Sequence, residues 1–150
     1  MVIMSIDPGM VRTGLAICDE FEILASPLGV IVEKNRDTLA KKISEQIFET
    51  KTELVVIGLP KNMDGTSGES AKKAYLFEKI LKKYTDIKTV FWDERQTTVS
   101  ASISLNELNV RGKKRKNIID AVSAVIILQS YINYRKNFGL NPTSTAFYNS

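Results

Sequence analysis

The segment ELVVIGLP, at residues 53–60, constrains the fold more than any other stretch of this sequence. Its central residues, 54–59, carry no charged or strongly polar side chain, and five of the six are Val, Ile or Leu. A strand of this composition has no face suited to water, so it is typical of a parallel strand that is covered on both sides. The sequence therefore predicts an α/β domain built around this strand.

Strands and helices can be assigned on both sides of this segment. Strands are predicted at 2–7, 13–19 and 23–32. An amphipathic helix follows, with Asn35 or Asp37 as its N-cap and an apolar stripe at Leu39, Ile43 and Ile47. The second half of the chain predicts a helix carrying Ala74, Phe77 and Leu81, a strand in IKTVFW, a weaker helix in TTVSASISLNEL, a basic connector in VRGKKRKN and an apolar helix in IIDAVSAVIILQSYI.

The resulting order, βββαβαβαα, is that of a mixed sheet with helices on both faces. A chain of 150 residues is the size of one ordinary domain. We expect a single domain over residues 1–136. The polar, aperiodic segment 137–150 is expected to be a flexible C-terminal tail.

The absence of histidine limits the possible chemistry. Ser-His-Asp and Cys-His mechanisms and histidine-ligated zinc sites are excluded. The single cysteine, Cys18, excludes a disulfide framework, and no signal peptide or apolar run long enough for a membrane span is visible. We therefore expect a cytoplasmic protein. Its net charge of +4 permits a polyanionic partner without requiring one.

Acidic residues occupy three notable positions. Asp7 ends the first predicted strand, Asp93 and Glu94 end the strand in IKTVFW, and Asp120 lies near the start of the last helix. If the two strands run parallel on either side of ELVVIGLP, their ends are roughly 10 Å apart. Converging carboxylates repel one another, and a divalent cation relieves that repulsion. Mg²⁺ or Mn²⁺ held there would suit phosphodiester hydrolysis.

Each acid alone has a simpler explanation. Asp7 suits a turn before Pro-Gly, Asp93 and Glu94 suit a solvated strand end, and Asp120 suits the first turn of a helix. Their joint placement at strand ends and beside small helix residues favours a site.

The run RGKKRK places five cations in six residues: Arg111, Lys113, Lys114, Arg115 and Lys116. Such a run can be a solvated loop. Because it directly precedes Asp120, it would also lie at the rim of the acidic site, where the phosphates of a nucleic acid would meet it. The nearest aromatic candidates, Trp92 and Tyr131, are expected in the core, so recognition of the backbone is favoured over base stacking.

Four motifs together resemble the YqgF/RuvX family, described as Holliday junction resolvases and as nucleases that mature the 5′ end of precursor 16S ribosomal RNA. The motifs are DPGMVRTGLA, VVIGLPKNMDGTSG, WDERQTTVSA and KKRKNIIDAVSAVIILQSY. The resemblance extends to about Tyr134. It implies an RNase H-like fold, a five-stranded sheet with an antiparallel three-strand meander, two parallel strands and helices on both faces.

The resemblance also implies a metal-dependent phosphodiesterase site. By position, Asp7 would be the first-strand ligand, Glu94, with Asp93 as a further candidate, the strand-end ligand, and Asp120 the helix ligand. Other residues in the same motifs are candidates for nucleic-acid contact or support of the site: Arg12, Asn62, Asp64, Arg95, Thr97 and Thr98.

The sequence departs from the RuvC pattern at two positions. The strand VIGLP does not end on an acid, and Asn117 stands where RuvC resolvases carry the first acid of Asp-x-x-Asp. One or two metal ions both remain open.

Three functions follow as hypotheses. The first is a Mg²⁺- or Mn²⁺-dependent nuclease acting on precursor ribosomal RNA or, as a Holliday junction resolvase, on branched DNA. The second is a non-catalytic module that binds RNA or a junction. The third, an actin-like ATPase fragment, is disfavoured because a second lobe is missing. The motifs are compatible with RNA or DNA, with endo- or exonuclease action, and with a monomer or a homodimer.

Overall fold

The computed structural model describes residues 1–59, 69–93, 112–138 and 148–149, with only the backbone at 69–70, 112–120, 138 and 148–149. Its elements are β1 (Ile3–Asp7), β2 (Arg12–Cys18), β3 (Ala25–Val32), α1 (Arg36–Thr50), β4 (Leu54–Leu59), α2 (Glu69–Leu81), β5 (Lys88–Asp93), α3 (Gly112–Phe138) and β6 (Tyr148–Asn149).

The strands form one mixed sheet in the order β3-β2-β1-β4-β5-β6. β1, β2 and β3 make an antiparallel meander, and β4 pairs in parallel with β1 on one side and with β5 on the other. This confirms the predicted five-stranded arrangement. A sixth strand, β6, adds two residues that pair antiparallel with Val90 and Phe91 of β5.

The C-terminal half differs from the sequence-based assignment. The prediction of a basic connector in VRGKKRKN is wrong for residues 112–117, because α3 begins at Gly112 and includes Lys113–Lys116. Lys and Arg favour helix, so the basic run continues into the apolar helix without a break.

Several predictions about the C-terminal half concern residues that are only partly described. α3 continues to Phe138, and Tyr148–Asn149, which we assigned to a tail, form β6. The rest of that tail and the weaker helix in TTVSASISLNEL lie outside the described residues, so both stay predictions. No helix in the described ranges combines the length and apolar character that a bilayer crossing needs.

The helices α1 and α2 cover one face of the sheet. Asn35 caps α1 by accepting a hydrogen bond from the backbone N–H of Thr38 at 3.0 Å. The predicted apolar stripe of α1 and the three predicted core residues of α2 are all buried. They pack on inward-facing strand residues, which include Met4, Ile6, Val55, Ile57 and Phe91.

The helix α3 covers the opposite face. Its buried side chains pack on Ile3, Val56 and Trp92. Trp92 and Tyr131 lie in this core, as predicted, with ring centroids 5.4 Å apart and planes at 81°. All six residues of β4 are consequently buried, which confirms the interpretation of the ELVVIGLP segment.

Polar contacts near both ends of the described side chains of α3 fix its direction. The buried Ser5 hydroxyl donates to the carbonyl oxygen of Ala124 at 2.6 Å. Near the other end of the helix, Arg135 Nε donates to Glu22 Oε1 at 2.7 Å, and Glu22 also accepts from the Met1 ammonium at 3.1 Å. Because Met1 precedes β1, α3 runs antiparallel to β1, and its first turns lie toward the end of β1.

The ion pair between Glu22 and Arg135 is partly buried, and its surroundings shift the pKa of Glu22. Burial alone would raise the pKa of Glu22, but the hydrogen bonds and charges of Arg135 and the ammonium group outweigh it and hold that pKa below its ordinary value. Glu22 is therefore ionised at neutral pH and pairs with Arg135 as a charged group.

Replacing Phe77 by Ala tests the core beneath α2. The ring is 1% exposed, so its loss should lower the free energy of unfolding by about 3–5 kcal/mol. The same change at Phe48, which is 85% exposed, is the matched control and should change it by about 0.5 kcal/mol or less. Urea unfolding followed by circular dichroism measures both, and equal losses would contradict this packing.

Candidate active site

Asp7 ends β1 on the face of the sheet that α3 covers. Met4 and Ile6 face α1 and α2, whereas Ile3 and Ser5 face α3. Since side chains alternate along a strand, Asp7 projects on the α3 side, and it is half-buried.

The neighbours of Asp7 across the sheet are glycines. Gly14 is its partner on β2. On the other side, Ile6 is paired with Ile57, and the register continued by one residue puts Asp7 beside Gly58 of β4. Neither neighbour carries a Cβ, so the two positions paired with Asp7 present no side chain beside the carboxylate. A carboxylate in such a position is well suited to accept a hard cation or to lie beside a phosphate.

Asp93 lies on the other side of the sheet. It pairs with Leu59, and both Leu59 and Phe91 pack in the core beneath α1 and α2. The side chain is 5% exposed. Asp7 and Asp93 therefore project from opposite faces of the sheet.

The backbone of α3 brings position 120 to the same end of the sheet as Asp7. Asp120 lies one helical turn before Ala124, whose carbonyl oxygen is bound by Ser5. Two residues of β1 advance the chain by about 6.6 Å from Ser5 to Asp7, and one turn of α3 covers about 6 Å in the same direction. Position 120 and Asp7 are therefore level on the α3 side of the sheet.

The remaining predicted site residues lie partly or wholly outside the part of the chain that the structure describes. Among the side chains that the structure describes, no three Asp, Glu or Cys residues gather closely enough to hold a metal ion. The predicted ligand set includes Glu94, which lies outside the described residues, and Asp120, of which only the backbone is described. Other candidates that lie outside the described residues are Asn62, Asp64, Arg95, Thr97, Thr98 and Arg111.

Arg12 starts β2 and is half-buried. It lies two residues before Gly14, the partner of Asp7, and the alternation along β2 therefore places it on the same face as Asp7. The structure brings this predicted contact residue close to the acid that ends β1.

The loop between β1 and β2 is held by Arg36, a residue that the sequence motifs do not mark. Arg36 Nη1 donates to the carbonyl oxygen of Gly9 and Nη2 to that of Met10, both at 2.9 Å. The same side chain reaches the carbonyl oxygens of Glu33 at 3.0 Å and Lys34 at 3.3 Å. One guanidinium therefore joins the loop after Asp7 to the loop before α1.

Gly9 is required by the closeness of the chain within this loop. A Cβ at Gly9 would lie 2.1 Å from the carbonyl oxygen of Arg12. No side chain fits there without moving the backbone that connects Asp7 to Arg12.

Glu33 adds a negative charge at the edge of this loop. Its carboxylate accepts from the N–H of Asn35 at 3.1 Å and from Lys42 Nζ at 3.2 Å. The Asn35 N–H first and Lys42 second lower the pKa of Glu33 below its ordinary value. Glu33 is therefore ionised at neutral pH, and its nearest cation is the exposed Lys42.

Comparison with known proteins identifies the family. The family described as "RuvX: Holliday junction resolvase" matches residues 1–134. The chain belongs to the RuvX family. Similar family members include a protein of Agathobacter rectalis, 38% identical over 91% of this chain and 98% of its own length, and one of Protochlamydia amoebophila, 44% identical over 89% and 93%. Both carry the name "Putative pre-16S rRNA nuclease".

Solved structures show the fold of this family member. RuvC from T. thermophilus, in complex with a Holliday junction substrate, aligns with a TM-score of 0.60 and 14% identity over 93% of this chain and 96% of that one. The fowlpox virus Holliday junction resolvase aligns with a TM-score of 0.55 and 14% identity, over 89% and 99%. The fold is therefore the RNase H-like fold of these resolvases.

Replacing Gly9 by Ala tests the packing of the loop after Asp7. The added Cβ must displace the Arg12 carbonyl, so we expect the free energy of unfolding to fall by about 1–3 kcal/mol. Replacing the neighbouring Met10, 76% exposed, by Ala is the control and should change stability by about 0.5 kcal/mol or less. Chemical denaturation measures both, and a Gly9→Ala protein as stable as the wild type would contradict the described loop.

Proposed function

We propose that this protein is a divalent-metal-dependent nuclease that hydrolyses phosphodiester bonds in structured nucleic acid and processes the 5′ end of precursor 16S ribosomal RNA in ribosome biogenesis. The observation that carries the proposal is Asp7, at a strand end between two glycines and level with position 120 of α3. The names of its relatives support the choice of RNA. We expect the activity in the cytoplasm.

The proposed metal ligands are Asp7, Glu94 and Asp120. Their carboxylate oxygens are the donors that Mg²⁺ and Mn²⁺ prefer, and the glycines beside Asp7 leave room for an ion. A bound ion would activate a water molecule and neutralise charge on the phosphate. Asp93 faces the side of the sheet away from Asp7, so we propose Glu94, the next residue of the sequence, as the ligand from this segment.

The proposed metal ligands include fewer carboxylates than the RuvC pattern. β4 ends on Gly58 and Leu59 without an acid, and Asn117 replaces a carboxylate by an amide. Fewer charged donors weaken the binding of a cation. We therefore propose one ion held by the protein, with any second ion depending on the phosphates of the substrate.

The basic start of α3 is the proposed contact for the phosphates beside the cut bond. Lys113–Lys116 lie in the first turns of α3, one to two turns before position 120, toward the end of the sheet where Asp7 lies. Neutralising phosphates there releases counterions and favours binding at low salt. The other proposed contacts are Arg12, Asn62, Arg95, Thr97, Thr98 and Arg111.

Branched DNA is the second candidate substrate. It is favoured by the fold shared with a RuvC bound to a Holliday junction substrate and by the family description. A homodimer would suit a four-way junction, whereas a monomer suffices for one RNA end. Incubation of a precursor 16S RNA fragment and a synthetic four-way junction with Mn²⁺, with sequencing of the ends, separates these substrates. Tight binding without cleavage of either would instead indicate a non-catalytic module.

Replacing Asp7 by Asn removes the negative charge from the proposed ligand at nearly constant size. We expect cleavage of precursor 16S RNA to fall about a hundredfold or more, with an unchanged circular dichroism spectrum. EDTA should abolish wild-type cleavage, and added Mn²⁺ should restore it. Asp86→Asn, at an exposed position before β5, is the matched control. An Asp7→Asn enzyme that cuts at the wild-type rate would refute the metal site.

Replacing Lys113 and Lys114 by Gln should weaken RNA binding and reduce its salt dependence. The slope of log K against log salt should become shallower by about 0.7–0.9 for each phosphate contact that is lost. The control is Lys79→Gln with Lys83→Gln, which removes the same charge from exposed positions of the chain. Filter binding at several salt concentrations measures both, and equal slopes for the two variants would argue against a specific role for the start of α3.

A further inference from the structure

Arg36 binds the carbonyl oxygens of two successive peptide units in the loop after Asp7. The Gly9 carbonyl accepts from Nη1 and the Met10 carbonyl from Nη2, so both carbonyls point toward the same guanidinium. In a trans peptide the C=O and the N–H of the next residue point in opposite directions, and the described chain contains no cis peptide bond. The N–H groups of Met10 and Val11 therefore both point away from Arg36.

These two N–H groups are available to a ligand. In the described part of the chain, no backbone or side-chain acceptor is bound to the N–H of Met10 or of Val11. Met10 is 76% exposed and Val11 is 38% exposed, so the loop is open to solvent. Successive N–H groups on one side of a loop form a concavity that binds anions.

Charges of both signs surround the loop: Asp7 and Glu33 are acidic, the latter paired with Lys42, and Arg36 is basic. The charge of Arg36 lies on the carbonyl side of the two peptide units, so the positive ends of both peptide dipoles point away from it. Arg12 follows Val11 directly, and Asp7 is three residues before Met10. A phosphate bound to the two N–H groups would therefore lie close to the acid proposed to hold the metal ion.

We propose that the N–H groups of Met10 and Val11, oriented by Arg36, bind a phosphate of the nucleic-acid strand that passes Asp7. The inference rests on the proposed function, in that the strand is expected at this edge of the sheet. Arg36 is a positioning residue, since its side chain binds the loop and not the phosphate. Lysine cannot replace it, because an ammonium group lacks the planar fork that reaches both carbonyls.

Nuclear magnetic resonance of the ¹⁵N-labelled full chain tests the proposal without catalysis. A short structured fragment of precursor 16S RNA is titrated in EDTA, so that nothing is cut, and inorganic phosphate is titrated separately. The amide resonances of Met10 and Val11 should move with the RNA and saturate with its binding. Unmoved amides, or amides that respond to inorganic phosphate but not to RNA, would overturn the proposal.

Variants of Arg36 separate orientation from charge. Arg36→Gln should abolish the shifts of both amides and weaken RNA binding about tenfold. Arg36→Lys keeps the charge and should still lose most of the shifts. The matched control is Lys41→Gln, which removes a charge from an exposed position of α1 and should leave both amides responsive. Wild-type shifts in the Arg36→Lys protein would show that charge alone suffices and would overturn the role of orientation.

The amide titration tests the phosphate site, and the cleavage assay tests the proposed nuclease function. If the amides respond to RNA but no nucleic acid is cut with Mn²⁺, the proposed nuclease function fails and the phosphate site stands. If precursor RNA is cut while the amides do not respond, the phosphate site fails and the nuclease function stands.

Discussion

The burial of β4 on both faces is the constraint on which the rest of the structure depends. All six of its residues are buried, so a helical layer must cover each side of the sheet. Its parallel pairing with β1 and β5 also brings the carboxyl ends of those strands to one edge. The position of Asp7 at this edge therefore depends on the pairing of β1 with β4, although β4 contributes no charged side chain itself.

Much of this could be predicted from sequence, because the features involved are local. The short apolar segments of β1 and β2, the uniform apolarity of β4 and the stripe at Leu39, Ile43 and Ile47 each indicate an element without knowledge of its neighbours. The start of α3 was missed because a run of like charges suggested a loop, although Lys and Arg suit a helix. β6 was missed because two residues carry no period and are defined only by their pairing with β5.

The parts of the candidate site that sequence could not reveal depend on contacts between distant segments. Arg36 follows an N-cap and looks like an ordinary first-turn residue, while Gly9, which it binds, lies 27 positions earlier. The face of the sheet from which Asp93 projects is set by strand register. The positions of acids in the sequence do not reveal that register. Motifs indicated which residue types matter, and the register shows which of them share a side of the sheet.

The two cores differ in which parts of the candidate site depend on them. The core beneath α3 contains Trp92, Leu128 and Tyr131 and sets the height and rotation of the helix that carries Asp120. A change of volume there would displace a proposed ligand, so substitutions in this core should reduce activity before they unfold the chain. The core beneath α1 and α2 has no such connection to Asp120. It instead supports α1, whose first residue, Arg36, holds the loop after Asp7, so the two cores position different parts of the candidate site.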